Sequence, residues 1–324
     1  MKLPRRTFLH LAAGAAALPA VSRLARAQTY PTRPVHLIVG LAAGGGVDIF
    51  ARLIGQWLSE RLGQPFIVDN RPGASMNIAA ELVAKSAPDG YTLLELAPPN
   101  TINMTLYDKL NFNFIRDIAP IASINRSAFV MVVNSSFPAK TVPEFIAYAK
   151  ANPGKINMAS TGIGSPLHMS GELFRMMTGV EMVDVTYKGV APALTDLLTG
   201  QVQVLFADLT SLGYIRAGKL RALAVTTATR SEVLPDVPVM GDFVAGYEAS
   251  SWQGMGAPRN TPVEIIDKLN REINAGLADP GIKARLAELG YSPFASSPAE
   301  FGKFLAEDTE KWAKVIKFAA VKAE

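Results

Sequence analysis

The stretch "VHLIVGLAAGGGVDIFARLIGQWLSERLG" (Val35–Gly63) joins an apolar run to a helical pattern through three consecutive glycines. Its first seven residues indicate a buried strand, because branched apolar side chains dominate them. From residue 48 onward, apolar residues recur at helical spacing as far as Leu62, and Gly63 is a suitable helix stop. The stretch therefore predicts a strand, a glycine-rich turn and an amphipathic helix.

The same order of elements recurs along the chain. The patterns predict strands at 65–70, 91–97, 129–134, 155–160, 183–189, 202–208 and 220–227, and helices at 77–87, 141–154, 167–179 and 191–201. Two further amphipathic helices are predicted at 262–279 and 298–321. Strands that alternate with helices indicate two α/β units built on parallel sheets with crossovers.

Each unit carries a glycine-rich loop between a strand and a helix, "AAGGGVD" (42–48) and "TGIGSP" (161–166). A helix N-terminus attracts anions through its free N–H groups, and glycine lets the backbone approach a ligand closely. Neither loop matches a Gly-x-x-x-x-Gly-Lys-Ser/Thr or Gly-x-Gly-x-x-Gly phosphate motif. The loops are therefore either tight turns or a shared site for another anion, such as a carboxylate, at the carboxyl ends of the strands.

The N-terminus has the features of an export signal. Arg5 and Arg6 in "PRRTFLH" precede the apolar run "LAAGAAALPAV" and the small-residue site "ARA" before Gln28. The paired arginines resemble a twin-arginine signal. An uncleaved membrane anchor is the alternative, but a bilayer needs roughly 20 apolar residues. The sequence predicts a signal peptide over residues 1–27 and a periplasmic mature protein.

Charge and composition exclude several classes of function. The chain has 32 basic and 28 acidic residues, and five of the basic ones lie in residues 1–27 with no acidic residue, so the mature chain is nearly neutral. A nucleic-acid partner is therefore not expected. The chain contains no cysteine and three histidines, of which His36 and His168 lie outside the signal. These residues are too few for an ordinary histidine zinc site, and neither a metal nor a cofactor is predicted.

The mature sequence resembles the Bug-type (Bordetella uptake gene) periplasmic substrate-binding proteins of tripartite tricarboxylate transporters. The resemblance rests on motifs that follow in order along nearly the whole mature chain: "PTRPVHLIVGLAAGGGVDIFARLIGQWLSERLGQPFIVDNRPGASMNIAAELVAKSAPDGYTLL", "STGIGSPLHMSGELF", "YKGVAPALTDLLTGQVQVLFAD", "LRALAVTTATRSEVLPDVPVM" and "APRNTPVEIIDKLN". It implies an α/β, two-domain, type II-like Venus-flytrap fold with a ligand cleft between the domains. It also implies a small carboxylate ligand, held largely by backbone amides and bound water, and transporter membrane subunits as partners.

The resemblance further implies two crossings between the domains, near Ala122–Phe129 and Leu220–Thr227. Domain one would comprise residues 28–124 and 225–324, and domain two residues 125–224. The expected ligand-binding residues come from both domains: Leu41, Ala43, Gly44, Gly45, Gly46, Asp48, Ser75, Met76, Asn77, Ser160, Thr161, Gly162, Gly164, Ser165, His168, Tyr187, Lys188 and Asp208.

Several of these residues have an ordinary structural alternative. His168 could pack or cap a helix, Asp208 could be an N-cap, and Lys188 could be an exposed lysine at a strand end. Asp48 is better suited to stabilise its own helix N-terminus than to meet an anion.

The sequence also departs from the family's pattern. Gly40 to Ala43 replace a Pro-Phe-x-Pro segment, which should loosen the first loop. Ser75 and Met76 stand where two glycines are usual, and Met76 would place a flexible apolar side chain at the far end of the ligand. Thr186 replaces a proline before "YKG".

The sequence thus predicts a solute-binding protein that delivers a di- or tricarboxylate, an acidic amino acid or an aromatic carboxylate to a membrane transporter. A periplasmic sensor acting with a receptor or kinase is the alternative. A hydrolase is disfavoured, because no Gly-x-Ser-x-Gly elbow is present and Ser160, Ser165 and His168 lack an orienting acid in sequence.

Export can be tested directly. We expect the mature protein to begin at or near Gln28, because the small-residue site ends at Ala27. Intact-mass spectrometry of a periplasmic extract measures this start. Recovery of a periplasmic chain that retains Met1–Ala27 would contradict the prediction.

Overall fold

A computed structural model describes residues 30–323, so the predicted signal peptide lies outside the described residues. The first part of the chain contains β1 (Val35–Val39), α1 (Gly46–Leu62), β2 (Phe66–Asn70), α2 (Asn77–Ala84), β3 (Thr92–Leu96), α3 (Pro99–Leu106), α4 (Phe114–Asp117) and β4 (Ile118–Ala128). The middle contains β5 (Val130–Asn134), α5 (Val142–Ala151), β6 (Ile156–Ser160), α6 (Pro166–Thr178), β7 (Met182–Thr186), α7 (Val190–Thr199), β8 (Val204–Ala207), α8 (Leu212–Arg216) and β9 (Leu220–Val225). The last part contains β10 (Ser250–Pro258), α9 (Val263–Ala278), α10 (Pro280–Glu288), β11 (Ser292–Pro293) and α11 (Pro298–Ala319). None of the helices within residues 30–323 is long and apolar enough to cross a membrane.

The strands form two sheets. Sheet one has six strands in the order β11-β4-β10-β3-β1-β2, and sheet two has five in the order β7-β6-β8-β5-β9. The predicted parallel pairing holds for β2, β1 and β3 and for β7, β6 and β8. It is wrong for the other strands, since β10 runs antiparallel to both β3 and β4, and β5 runs antiparallel to β8 and β9. Both sheets are therefore mixed.

The chain passes between the sheets at two adjacent places. β4 stays paired in sheet one up to Ala128, and Val130 opens β5 in sheet two, so the expected boundary at 124/125 falls inside β4. Phe129 lies between these strands. Its carbonyl accepts from the Thr226 N–H, and its N–H donates to the Thr226 hydroxyl, just after β9. The chain returns to sheet one only at β10, because residues such as Met240 and Tyr247 still pack into the core beside sheet two. The expected boundary at 224/225 lies at the end of β9, 25 residues before β10 begins, and it stays a prediction.

The 22-residue helix α11 belongs to the hydrophobic cores of both sheets. Phe301 and Leu305 pack with side chains of β3 and β10 in sheet one. Trp312 and Ile316, further along the helix, pack in the cluster that contains side chains of β5, β6 and β8. Asp308 lies between these two groups, where it accepts a 2.7 Å hydrogen bond from the Thr101 hydroxyl of α3 and pairs with Lys311. The helix thus connects the two cores through buried contacts.

Sheet one also contains a buried acid. Glu95 on β3 is fully buried, and neither carboxyl oxygen has a hydrogen-bond partner in the described residues. Burial raises the pKa of this carboxyl well above its ordinary value. A group whose folded pKa is raised stabilises the fold below its unfolded pKa, and this contribution is lost as the pH rises toward the folded pKa.

Glu95→Gln should therefore stabilise the protein at neutral and alkaline pH, because it removes the cost of ionising a buried carboxyl. The gain over the natural chain should grow by up to about 1.4 kcal/mol per pH unit above the ordinary glutamate pKa of about 4.3, and should vanish below it. Urea unfolding between pH 4 and pH 9 measures this, with the exposed Glu310→Gln as the matched control. A pH-independent difference would contradict the prediction.

Candidate functional site

The first glycine loop is held by the first turn of the helix that follows it. Gly44 has a φ of 84°, and its N–H donates to Asp48 Oδ2 at 2.9 Å. The buried Asp48 carboxylate also accepts hydrogen bonds from Arg52 and from Asn70, and Asn70 donates in addition to the Leu41 carbonyl. The hydrogen bonds from Arg52 hold the pKa of Asp48 below its ordinary value, with smaller help from Gly44 and Asn70. These contacts fix a loop that lacks the prolines expected there.

The second glycine loop has the same construction. Gly164 has a φ of 73°, and its N–H donates to His168 Nδ1 at 3.1 Å, again four residues later in the first turn of a helix. Ser165 caps α6 by accepting from the His168 N–H at 3.2 Å, and the Thr161 hydroxyl contacts the Ser165 hydroxyl at the same distance. His168 is buried, and its imidazole holds the loop. This position agrees with the packing role that the sequence analysis gave as the alternative to ligand contact.

The turn before α2 has an uncommon backbone. Ala74, Ser75 and Met76 have φ values of 45°, 51° and 74°, in a region that costs non-glycine residues roughly 1–2 kcal/mol each. The Asn103 side-chain amide holds the turn by donating to the Ser75 carbonyl at 2.7 Å and to the Asn77 side chain at 3.0 Å. Met76 is fully buried in the core of sheet one, so its contact with a ligand stays a prediction.

A cavity of about 480 Å³, which we call cavity A, lies between the sheets. It is lined by Ser127, Ala128, Phe129, Thr161, Pro166, Leu167, Gly189, Val190, Asp208, Leu209, Thr210, Ser251, Leu289 and Tyr291. The first residues of α6 and α7 thus reach the cavity from the side of sheet two. The N-cap of α7 is Gly189, which has no side chain to occupy the free N–H groups of that helix. Cavity A therefore has free N–H groups at the start of α7 on one wall, and the Asp208 carboxylate also lines it.

Helix α1 adds a second uncapped N-terminus from the side of sheet one. Its N-cap is Gly45, again without a side-chain cap. A Cβ built on Gly46 would lie 3.8 Å from the hydroxyl oxygen of Tyr291, which lines cavity A. The start of α1 therefore lies beside this cavity, although the residues from Leu41 to Gly46 are themselves exposed.

A second cavity of about 570 Å³, cavity B, shares Thr161 and Gly189 with cavity A. Its other lining residues are Ser75, Leu106, Tyr107, Gly162, Ile163, Thr186, Tyr187, Lys188 and Ala323. The Tyr187 hydroxyl donates to Asp196 at 2.7 Å, and burial together with this contact raises the pKa of Tyr187 to about 12. Lys188 is exposed at the rim.

The expected site residues divide into three groups. Those that line a cavity are Ser75, Thr161, Gly162, Tyr187, Lys188 and Asp208. Asp208 also caps the turn Leu209–Ser211 by accepting from the Thr210 N–H, which is the N-cap role given above as its alternative. Those that form or hold the loops are Leu41, Ala43, Gly44, Gly45, Gly46, Asp48, Gly164, Ser165 and His168. Met76, Asn77 and Ser160 are buried beneath them.

Sequence reasoning missed the wall of cavity A that sheet one provides. Ser251 lies on β10, and Leu289 and Tyr291 lie between α10 and β11, in segments where no strand was predicted. No local pattern marks Tyr291 as a cavity residue. Gly189 could have been predicted as a site residue from the sequence, because it follows Lys188 directly in the "YKG" motif.

The serines near His168 do not form a catalytic arrangement. The Ser160 hydroxyl donates to Asp184 at 3.1 Å, and the Ser165 hydroxyl contacts Thr161 and the His168 N–H. His168 Nδ1 accepts the Gly164 N–H, while Nε2 lies 3.7 Å from Glu172 and 3.9 Å from Asp184, and neither serine hydroxyl donates to the imidazole. Within residues 30–323, no group of three or more His, Asp or Glu side chains could hold a metal ion.

Two sheets with a cleft between them, glycine loops at its edges and uncapped helix N-termini define a solute-binding protein. The family model "Tripartite tricarboxylate transporter family receptor" matches residues 50–321. The chain belongs to this family, and the predicted recognition is confirmed. Receptors of this family are periplasmic binding proteins rather than enzymes.

Similar proteins support the same assignment. Protein BugT of Bordetella pertussis is 35% identical over 302 residues, which cover 91% of this chain and 92% of BugT. The structure of R. palustris Rpa4515 with adipate is 39% identical, with a TM-score of 0.75 and coverage of 90% and 99%. MatC from Rhodopseudomonas palustris with bound malate is 30% identical, with a TM-score of 0.71 and coverage of 89% and 100%. The predicted two-domain binding-protein fold class is confirmed.

The role of Asp48 in holding the first loop can be tested by Asp48→Ala. We expect a loss of about 2–3 kcal/mol in the free energy of unfolding at neutral pH, because a charged acceptor of several hydrogen bonds is removed. The lowered pKa of Asp48 means that its contribution is present at neutral pH and is lost as the pH falls through that folded pKa. Chemical denaturation at pH 7 and at pH 3 measures both effects.

Asp267→Ala, an exposed aspartate on α9, is the control and should change stability by no more than about 0.5 kcal/mol. Equal losses in the two variants at pH 7 would contradict the assigned role of Asp48.

Proposed function

We propose that this receptor captures a small carboxylate between its two sheets and delivers it to the membrane subunits of a tripartite tricarboxylate transporter. The observation that carries the proposal is the pair of glycine N-caps, Gly45 and Gly189, which leave the first N–H groups of α1 and α7 free beside cavity A. Each helix N-terminus carries roughly half a positive charge. An anion between them is therefore favoured without an arginine clamp.

The similar proteins support a carboxylate as that anion. Rpa4515 and MatC, whose structures hold adipate and malate, match this chain over nearly its whole described length. A charge-assisted hydrogen bond contributes about 1.5–3 kcal/mol net, so a few N–H groups with some apolar contact reach micromolar affinity. The ligand class therefore remains di- or tricarboxylates, acidic amino acids and aromatic carboxylates.

We propose further that the protein binds its ligand without chemical turnover. The hydroxyls of Ser160 and Ser165 are engaged by Asp184 and Thr161, and His168 Nδ1 is engaged by the Gly164 N–H. Neither of these two serine hydroxyls therefore donates a hydrogen bond to the imidazole, as a nucleophile paired with its base would.

Export through a cleaved twin-arginine signal completes the proposal. It rests on Arg5, Arg6 and the "ARA" site, and it agrees with a receptor family that works in the periplasm.

A thermal-shift screen of small carboxylates tests the proposal as a whole. Binding to the folded state raises the melting temperature, because it stabilises that state by RT ln(1 + [L]/Kd). Adipate, malate, glutamate and benzoate represent the proposed classes. No shift with any of them would count against the proposal, and turnover of a bound ligand by the pure protein would overturn it.

The role of the glycine loop can be tested by Gly45→Val. Gly45 has a φ of −79°, and a Cβ there would lie 3.6 Å from the Ala42 carbonyl oxygen, so the fold should tolerate the change. The added side chain would cover the free N–H groups of α1, and we expect affinity for the selected carboxylate to fall at least tenfold by calorimetry.

Lys188→Ala is the comparison, since it removes an exposed cation at the rim of cavity B. It should have the smaller effect if N–H groups carry the recognition of charge. Normal binding by Gly45→Val together with loss of binding by Lys188→Ala would show that the glycine loop is only a turn.

A further inference from the structure

Tyr291 is a tyrosine on the wall of cavity A with no role in the loops described above. It follows α10, and its ring packs edge-to-face on Phe50 of α1, with ring centroids 4.6 Å apart. Its backbone N–H donates to the Leu286 carbonyl at 2.9 Å. Leu209, from the side of sheet two, packs against the adjoining Gly290. The ring of Tyr291 is thus held by packing on Phe50, and the backbone next to it is contacted from the side of sheet two.

The chemical environment keeps the Tyr291 hydroxyl protonated. Burial is the main cause that raises the pKa of Tyr291, and the charge of Asp208 raises it further. Ser251 and Gln253 interact with the hydroxyl and lower the pKa by less. A neutral phenol next to an anion site is a hydrogen-bond donor and not a competing negative charge.

The hydroxyl also lies where an anion would arrive. A Cβ built on Gly46, in the first turn of α1, would stand 3.8 Å from the hydroxyl oxygen. On the opposite wall of the same cavity are Gly189 and Val190, at the uncapped start of α7. Two other hydroxyls of sheet one line the cavity. That of Ser127 donates to the Gly290 carbonyl at 3.0 Å, and that of Ser251 accepts from the Gln253 side-chain amide at 3.4 Å.

We propose that the Tyr291 hydroxyl binds the carboxylate of the ligand in cavity A by donating a hydrogen bond to it. The inference rests on the proposed function and adds to it a side chain of sheet one that touches the ligand. The carboxylate would lie between the phenol and the first turn of α7, so that each sheet supplies donors to the same anion. No proton is transferred, because the phenol only donates a hydrogen bond.

Tyr291→Phe tests the inference because it removes the hydroxyl and keeps the ring that packs on Phe50. Calorimetry uses the tightest-binding of adipate, malate, glutamate and benzoate. We expect affinity to fall roughly ten- to hundredfold, as for loss of a hydrogen bond to a charged group. The melting temperature without ligand should stay within about 2 °C of the natural protein, because the packing is retained.

Tyr91→Phe is the matched control. Its hydroxyl bonds Thr32, and Tyr91 lines neither cavity, so affinity should be unchanged. Normal affinity of Tyr291→Phe beside weakened Gly45→Val would overturn the inference and leave the proposed function standing. Equal losses in the two tyrosine variants, or a large fall in melting temperature of unliganded Tyr291→Phe, would also overturn the inference. Absence of binding by the natural protein to all four probes would overturn both.

Discussion

Trp312 packs into the core of sheet two, while Phe301, three turns earlier on the same helix, packs into the core of sheet one. A helix of 22 residues spans about 33 Å and does not bend easily, so these contacts fix how far apart the two cores stand. Burying a large apolar side chain contributes roughly 1.5–3 kcal/mol, more than a single neutral hydrogen bond at the crossings near Phe129 and Thr226. The walls of the cleft therefore take their spacing chiefly from α11. The two crossings determine where the chain passes from one sheet to the other.

Within that frame, the cleft loops follow one local design. A glycine with positive φ directs its N–H back to a side chain in the first turn of the next helix, Asp48 in one loop and His168 in the other. Each of these side chains accepts a hydrogen bond from a glycine N–H that the turn would otherwise leave unpaired. The N–H groups at the start of the helix stay free. A carboxylate and an imidazole perform the same task, although one carries a charge and the other accepts through a ring nitrogen. The same few residues thus make the loops rigid and leave the N–H groups of the helix starts free to bind a ligand.

The sequence predicted the elements that local pattern controls. The strand, glycine loop and helix from Val35 to Leu62 appear with boundaries shifted by only a few residues, as do both loops at the cleft. β4 and β10 were not predicted, because "IAPIASINRSA" contains a proline and mixed polar residues and "SSWQGMGAP" contains glycines, which weaken a strand pattern. Their pairing depends on distant partners, and the mixed topology of sheet one depends on them. Tyr291 could not be found for the same reason, since its neighbours Phe50 and Asp208 are far away in sequence.

The sharing of α11 between two cores also constrains the order in which the protein can be made. Neither apolar cluster is complete until residues 301–316 have been synthesised, because Phe301 and Trp312 fill them from the same late segment. Contacts between residues this far apart in sequence form slowly, and incomplete cores expose apolar surface. The nascent chain should therefore complete these two clusters late, and their apolar surface stays exposed until α11 has been synthesised.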